Sequence, residues 1–260
     1  MTDGGPLHRI LREEAQCVDA AVGDYSLSPA TVPTTATYLI RGWRRSRSRS
    51  DAGVVPGPPS YTTFIGRRPL LTELRQRLAM SRVVTLTGPG GLGKTRVAAQ
   101  LADEDQSTFR DGVWWVDVIT VPDRALLVPT VASSVHLRTE TAVPLPELIA
   151  DHIADRRALL VLDGCERALA EVVRIVLVLR DECPNLRILL TSRQALGIGG
   201  EAVVRMPPLT VPEGRGASTA ESLLQYESVA LFVDRAALAG ADFRLTDETA
   251  AAVSALCREL

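Results

Sequence analysis

The chain has 260 residues, 46% apolar and 23% charged, with a formal net charge of −2. That is room for one large or two modest domains with a proper core, and the balance gives no global pull toward nucleic acid or membrane. Cys17, Cys165, Cys183 and Cys257 are scattered without C-x-x-C spacing or a nearby histidine cluster, which argues against a zinc site and a disulfide framework. No apolar run of about 18 residues occurs, and the first sixteen residues are polar and charged rather than a signal peptide, so a cytoplasmic protein with no membrane partner is expected.

Residues 1–60 carry the least pattern. Leu7–Val22 reads as a short helix and Ala36–Ile40 as a strand. Arg41, Arg44, Arg45, Arg47 and Arg49 then alternate with serines. Such a run is either a basic patch that contacts nucleic-acid phosphates or a solvated linker leading into Pro56-Gly57-Pro58-Pro59, and the composition favours the linker.

Ordered sequence opens at Thr62-Thr63-Phe64-Ile65-Gly66-Arg67-Arg68, followed by Pro69 and a helix with Leu70, Leu74 and Leu78 on one stripe. Arg82–Thr87 is a short β-branched and apolar run, a buried strand. It leads into Gly88-Pro89-Gly90-Gly91-Leu92-Gly93-Lys94-Thr95, which fits G-x-x-x-x-G-K-[ST]. Arg96–Ala102 follows as helix, with Val97 and Leu101 four apart on one face.

Phosphate binding needs these residue types. Glycines let successive N–H groups turn inward, and the following helix adds its unsatisfied donors and the positive end of its dipole. Lys94 is the mobile cation for the β- and γ-phosphates, and the Thr95 hydroxyl is a Mg²⁺ ligand. Lys94 is also the only lysine among 29 basic residues. The one ammonium stands where a compact charge suits phosphate better than a planar fork.

Gly112–Val118 reads as a second strand. Helices are predicted over Arg124–Ser134, which Pro129 should interrupt, and over Pro144–Asp155. Arg157–Asp163 is a continuous apolar run ending in an acid. A strand buried on both faces has this pattern, and Asp163 at its carboxyl end stands where ligands bind in open α/β sheets. Alone, such an aspartate is more often a turn or cap; about 70 residues after a phosphate loop it fits the Walker B position, holding Mg²⁺ directly or through water.

Ala168–Asp181 reads as a helix and Arg187–Thr191 as a strand, ending in Ser192-Arg193. Arg193 is either a γ-phosphate sensor or a surface arginine. Glu201–Met206 is a fifth strand, ended by Pro207-Pro208-Leu209, and helices are predicted over Glu221–Leu238 and Thr246–Leu260. The alternation predicts a three-layer α/β fold with a mainly parallel five-stranded sheet at 61–210, then the start of a small helical domain at 211–260.

The order of these motifs over roughly residues 62–260 resembles the nucleotide-binding module of the STAND/NB-ARC P-loop ATPases, in the bacterial branch found in large LuxR-type and AfsR-like transcriptional regulators. Its carriers are Phe64–Arg67, Val84–Arg96, Leu159–Glu166, Leu189–Arg193, Pro207–Leu209 and Ala230–Ala236. The resemblance implies an ATP/ADP switch with Mg²⁺. In it, Ile65, Gly66 and Arg67 border the adenine; Gly88, Pro89, Gly90, Gly91, Leu92, Gly93, Lys94, Thr95 and Arg96 form the phosphate loop; Arg193 senses the γ-phosphate; and Pro208 closes over the base. It also implies that the Arg193 strand lies between the loop strand and the Walker B strand.

Two departures qualify it. Gly164 stands where the family often has a second polar or acidic residue, leaving Glu166 as the nearest carboxylate to orient a water, so hydrolysis is expected to be slow or absent. The chain also stops at Arg258-Glu259-Leu260, where relatives continue into a winged helix and sensor or DNA-binding domains, so a fragment or half of a split regulator is expected. A guanine-selecting Asn/Thr-Lys-x-Asp motif would need a second lysine, which favours adenine. Three readings follow: a weak regulatory ATPase, a nucleotide-bound scaffold docking a protein partner or a second copy through its C-terminal helices, and a nucleic-acid binder through Arg41–Arg49. In the first two, DNA is contacted only indirectly. A small-molecule kinase ranks below these, for want of an acceptor pocket.

Overall fold

Apolar runs flanked by turn residues fold into five strands: β1 (Val83–Thr87), β2 (Val113–Asp117), β3 (Leu159–Asp163), β4 (Arg187–Ser192) and β5 (Glu201–Arg205). The computed structural model describes residues 58, 62–137, 145–213, 219–239 and 243–259. The readings over Leu7–Val22, Ala36–Ile40 and Arg41–Ser50 lie outside the described residues. The strands form one sheet in the order β2-β3-β4-β1-β5, and every pairing is parallel. β4 therefore lies between the loop strand and the Walker B strand, as the family resemblance implied.

Helices cover both faces. α1 (Arg68–Met80) and α2 (Lys94–Glu104) lie on one side; α3 (Leu127–Ser134), α4 (Pro146–Ile153) and α5 (Leu169–Glu182) lie on the other. Successive strand residues divide between the layers, because side chains alternate across a strand. Leu160 and Leu162 of β3 join the α3–α5 layer, whereas Leu159 and Val161 join the α1–α2 layer. A sheet buried this way has to be apolar on both faces, which explains the near-unbroken apolar runs.

A third apolar cluster is built from α6 (Ala220–Leu223), α7 (Glu227–Leu238) and α8 (Asp247–Glu259), around Leu223, Val229, Ala250, Val253 and Cys257. The helix predicted over Glu221–Leu238 is thus two helices. The break has a long-range cause. Thr210 caps the start of α7, its Oγ1 accepting from Glu227 N–H at 2.9 Å and its carbonyl from Ser228 N–H at 3.1 Å.

The expectation about Pro129 is also corrected. It falls in the first turn of α3, where its missing N–H is no loss, and a separate 3₁₀ turn, Arg124–Leu126, precedes it. Among the described residues Cys165, Cys183 and Cys257 are free and buried, and no helix is long and apolar enough to cross a membrane.

Leu160 is fully buried and Met80 is 78% exposed. In urea unfolding, Leu160→Ala is expected to cost about 2–5 kcal/mol, and Met80→Ala less than about 0.5 kcal/mol.

Candidate functional site

The carboxyl ends of β1, β3 and β4 meet at one edge of the sheet, with Thr87 of β1 in register with Ser192 of β4. Gly88–Gly93 crosses this edge and α2 begins at Lys94. Gly93 has φ +86°, the left-handed region that L side chains rarely adopt, so glycine is what lets the loop turn into the helix. Lys94 is buried, and its Nζ donates to the carbonyls of Gly88 and Pro89 at 2.8 Å each. The loop itself is open above. A Cβ built on Gly91 meets nothing within 4 Å, and one built on Gly90 meets only Arg193 Nη2, at 3.6 Å.

Beneath the start of α2 lies the Asp163 carboxylate. Thr95 Oγ1 donates to it, 2.9 Å from Oδ1 and 2.8 Å from Oδ2, and Thr191 Oγ1 also reaches Oδ1. Burial pushes the Asp163 pKa up, against the lowering effect of the Thr191 and Thr95 hydrogen bonds; the negative charges of Asp117 and Glu166 push it further up. Glu166 pairs with Arg193, Oε1 to Nε at 3.4 Å, while its Oε2 is buried without a hydrogen bond.

Beside the loop is a cavity of about 590 Å³, with Phe64, Ile65, Pro208, Leu209 and Phe232 on its apolar walls and Leu92 and Gly93 at its loop side. Arg67 holds its rim together. The Arg67 N–H donates to Glu227 Oε1 at 2.5 Å, Nη1 to Pro207 O at 2.7 Å and Nη2 to Leu92 O at 3.0 Å. Arg96 turns from the loop to the carbonyls of Thr62 and Thr63, and Arg235 donates to Thr63 O at 3.1 Å.

The model of the NB-ARC domain family matches residues 68–203. The chain belongs to the NB-ARC family. Over 199 residues it is 36% identical to the uncharacterized protein Rv0894 of Mycobacterium tuberculosis, covering 76% of this chain and 47% of that one. Over 187 residues it is 36% identical to a protein of the same organism named as an HTH-type transcriptional regulator, Rv0890c, covering 72% and 20%. The regulatory protein AfsR of Streptomyces griseus is 32% identical over 124 residues, covering 43% and 13%. The chain thus spans about half the length of the first of these relatives, or less in the others. A solved STAND protein with a tetratricopeptide repeat sensor, from Pyrococcus horikoshii, superposes with a TM-score of 0.48 at 20% identity, covering 80% of this chain and 30% of that one.

In this NB-ARC module the residues singled out from sequence fall into three groups. Gly88–Thr95, Asp163, Glu166 and Arg193 converge on the loop. Ile65, Arg67, Leu92, Gly93, Arg96 and Pro208 line the cavity. Gly66 stands behind the rim at φ +72°, where a Cβ would collide with the Glu227 side chain at 2.6 Å. Sequence reading missed Thr191, Glu227 and Ile119. It also read Gly164 only as a missing acid. Gly164 has φ +75°, and a Cβ there would lie 2.2 Å from Ile119 Cγ1, so backbone and packing both exclude a side chain.

The donor set fits a nucleotide with Mg²⁺. The open glycine loop has room for phosphate, and a cation would relieve the buried Asp163 and the unpartnered Glu166 Oε2. Among the described residues no group of three or more His, Cys, Asp or Glu could hold a metal. Thr95 and Asp163 would therefore share a cation with phosphate oxygens and water, the usual arrangement for Mg²⁺.

The folded state holds a proton on Asp163 more readily than the unfolded chain, so this residue costs stability as pH rises from the ordinary value of 3.8 through the raised folded one. Asp163→Asn in metal-free and nucleotide-free protein is expected to gain Tm relative to wild type as the pH is raised across that window. A difference that stays constant with pH would count against this.

Proposed function

We propose that the chain is an adenine-nucleotide-binding regulatory module of the transcription-regulator kind, distinguishing ATP from ADP and hydrolysing slowly or not at all. The observation that carries this is the convergence of Lys94, Thr95 and Asp163 on an open glycine loop beside an apolar cavity of about 590 Å³. That volume lies within the range of small-ligand pockets, about 300–1,000 Å³. The Phe64, Ile65 and Pro208 walls offer flat apolar surface to a base, and no second lysine exists to select guanine. Relatives named as an HTH-type transcriptional regulator and as a regulatory protein support the regulatory part.

The chain's own residues divide the work. The loop N–H groups, the start of α2 and Lys94 hold the phosphates, and Lys94 leaves its two carbonyl partners to do so. Thr95 and Asp163 present oxygens to Mg²⁺, which when bound supplies positive charge against the phosphate oxygens. Arg193 lies beside Gly90 and exchanges Glu166 for the terminal phosphate. Gly164 supplies no second carboxylate next to Asp163; this favours slow turnover, and equally a scaffold that binds without turning over. Protein partners or a second copy would meet the module through α6–α8, with DNA contacted only indirectly.

Calorimetry with ATP and ADP in the presence of Mg²⁺, with phosphate release followed on the same samples, tests the reading. Lys94→Ala removes charge-assisted hydrogen bonds worth about 1.5–3 kcal/mol, so an affinity loss of about 10–100-fold is expected. Arg193→Ala is expected to weaken ATP more than ADP. Nucleotide binding that is absent in wild type, or unchanged in Lys94→Ala, would overturn the proposal.

A further inference from the structure

The opposite edge of the sheet carries a second cavity, of about 510 Å³, where the amino ends of β3 and β4 meet the last turn of α1 and the segment Asp105–Phe109 that follows α2. Arg157 and Arg187 stand at the two strand starts, Asn185 and Thr108 add neutral polar groups, and Phe109 and Leu78 form an apolar wall. The charges here are unbalanced. Arg187 Nε donates to Leu78 O at 2.8 Å and its Nη1 to Leu186 O at 3.4 Å, but it has no carboxylate partner among the described residues. Arg157 likewise forms no ion pair among the described residues; its backbone N–H donates to Asp111 Oδ2 at 2.7 Å and its carbonyl accepts from Asp111 N–H at 3.2 Å.

The acids nearby are already taken. Asp105 accepts from Arg75 Nε at 2.9 and 3.1 Å, Glu104 accepts from Arg75 Nη2 at 2.5 Å, and Asp111 faces Arg110 and Arg156. Burial, then the like charges of Arg82 and Arg157, lower the Arg187 pKa, the mark of a guanidinium that lacks a counter-charge. Positive charge held half-buried against like charge costs free energy that an anion would recover.

We propose that this cavity is a second ligand site, which takes a small organic phosphate monoester: the dianionic head between Arg157 and Arg187, the apolar body against Phe109 and Leu78. Arginine's rigid fork matches phosphate oxygens, and two guanidiniums match a dianion better than a single carboxylate. The cavity is of small-molecule size and is walled by the end of α1, the segment after α2 and two strand starts, a concave surface that suits a small ligand better than a flat protein contact.

Phenyl phosphate serves as the probe, with inorganic phosphate and benzoate as comparators, titrated into wild type, Lys94→Ala and Arg157→Gln by calorimetry. Lys94→Ala disables the glycine loop and separates the two sites. Arg157 is exposed, so its loss leaves the fold and ATP binding intact. Saturable binding of phenyl phosphate is expected in wild type and Lys94→Ala alike, tighter than either comparator, and at least about 10-fold weaker in Arg157→Gln, the loss of one charge-assisted contact. Arg187→Lys, which keeps the charge but removes the fork, is expected to weaken it as well. Absence of saturable binding, binding lost in Lys94→Ala, or binding unchanged in both arginine variants would overturn the site.

Discussion

The insertion of β4 between β1 and β3 is the constraint on which the rest of this edge depends. It places Thr191 level with Asp163, so the carboxylate that β3 carries to the edge is met from β4 by one hydroxyl and from α2 by another. Both donors are neutral, and the charges that bear on Asp163, those of Asp117 and Glu166, are negative. A buried carboxylate supported only by hydroxyls is an expensive arrangement unless a cation completes it. The same insertion brings Arg193, one residue beyond β4, over Gly90.

Arg67 does for the cavity what β4 does for the loop. With φ +59° at the start of α1, it turns its backbone N–H to Glu227 of α7 and its guanidinium to the carbonyls of Leu92 and Pro207. One residue therefore joins α1, the glycine loop, the segment after β5 and the third helical cluster. An arginine that the family resemblance places at the border of the base spends its guanidinium donors on backbone carbonyls.

What was legible in the sequence, and what was not, follows from the range of the interactions. The strands were legible because burial on both faces demands unbroken apolar runs such as Leu159–Leu162, and the loop because phosphate chemistry tolerates little else than Gly93-Lys94-Thr95. The strand order came from family resemblance, since nothing local in Arg187–Arg193 says which neighbours it pairs with. The break before α7 was illegible because its cause, Thr210, is 17 residues away from Glu227. Gly164 was only half legible for a related reason: a motif comparison registers an absent acid, whereas the φ of +75° and the packing of Ile119 are tertiary facts.

The strengths of these contacts also separate what can move from what cannot. Arg193 is 69% exposed and its link to Glu166 is a single contact at 3.4 Å. An exposed pair of this kind contributes about 0–1 kcal/mol, so a phosphate offering better geometry would displace Glu166 at little cost. Arg67 is itself buried and makes three hydrogen bonds that would have to break together, which would cost several times as much. If the module changes state with its ligand, the first element to shift is therefore the Arg193–Glu166 pair over the loop, while the cavity rim held by Arg67 stays fixed. Two links run from there toward α7: Arg67, which touches the loop at Leu92 and the segment leading to α7 at Pro207, and the Thr63 carbonyl, which Arg96 and Arg235 of α7 share.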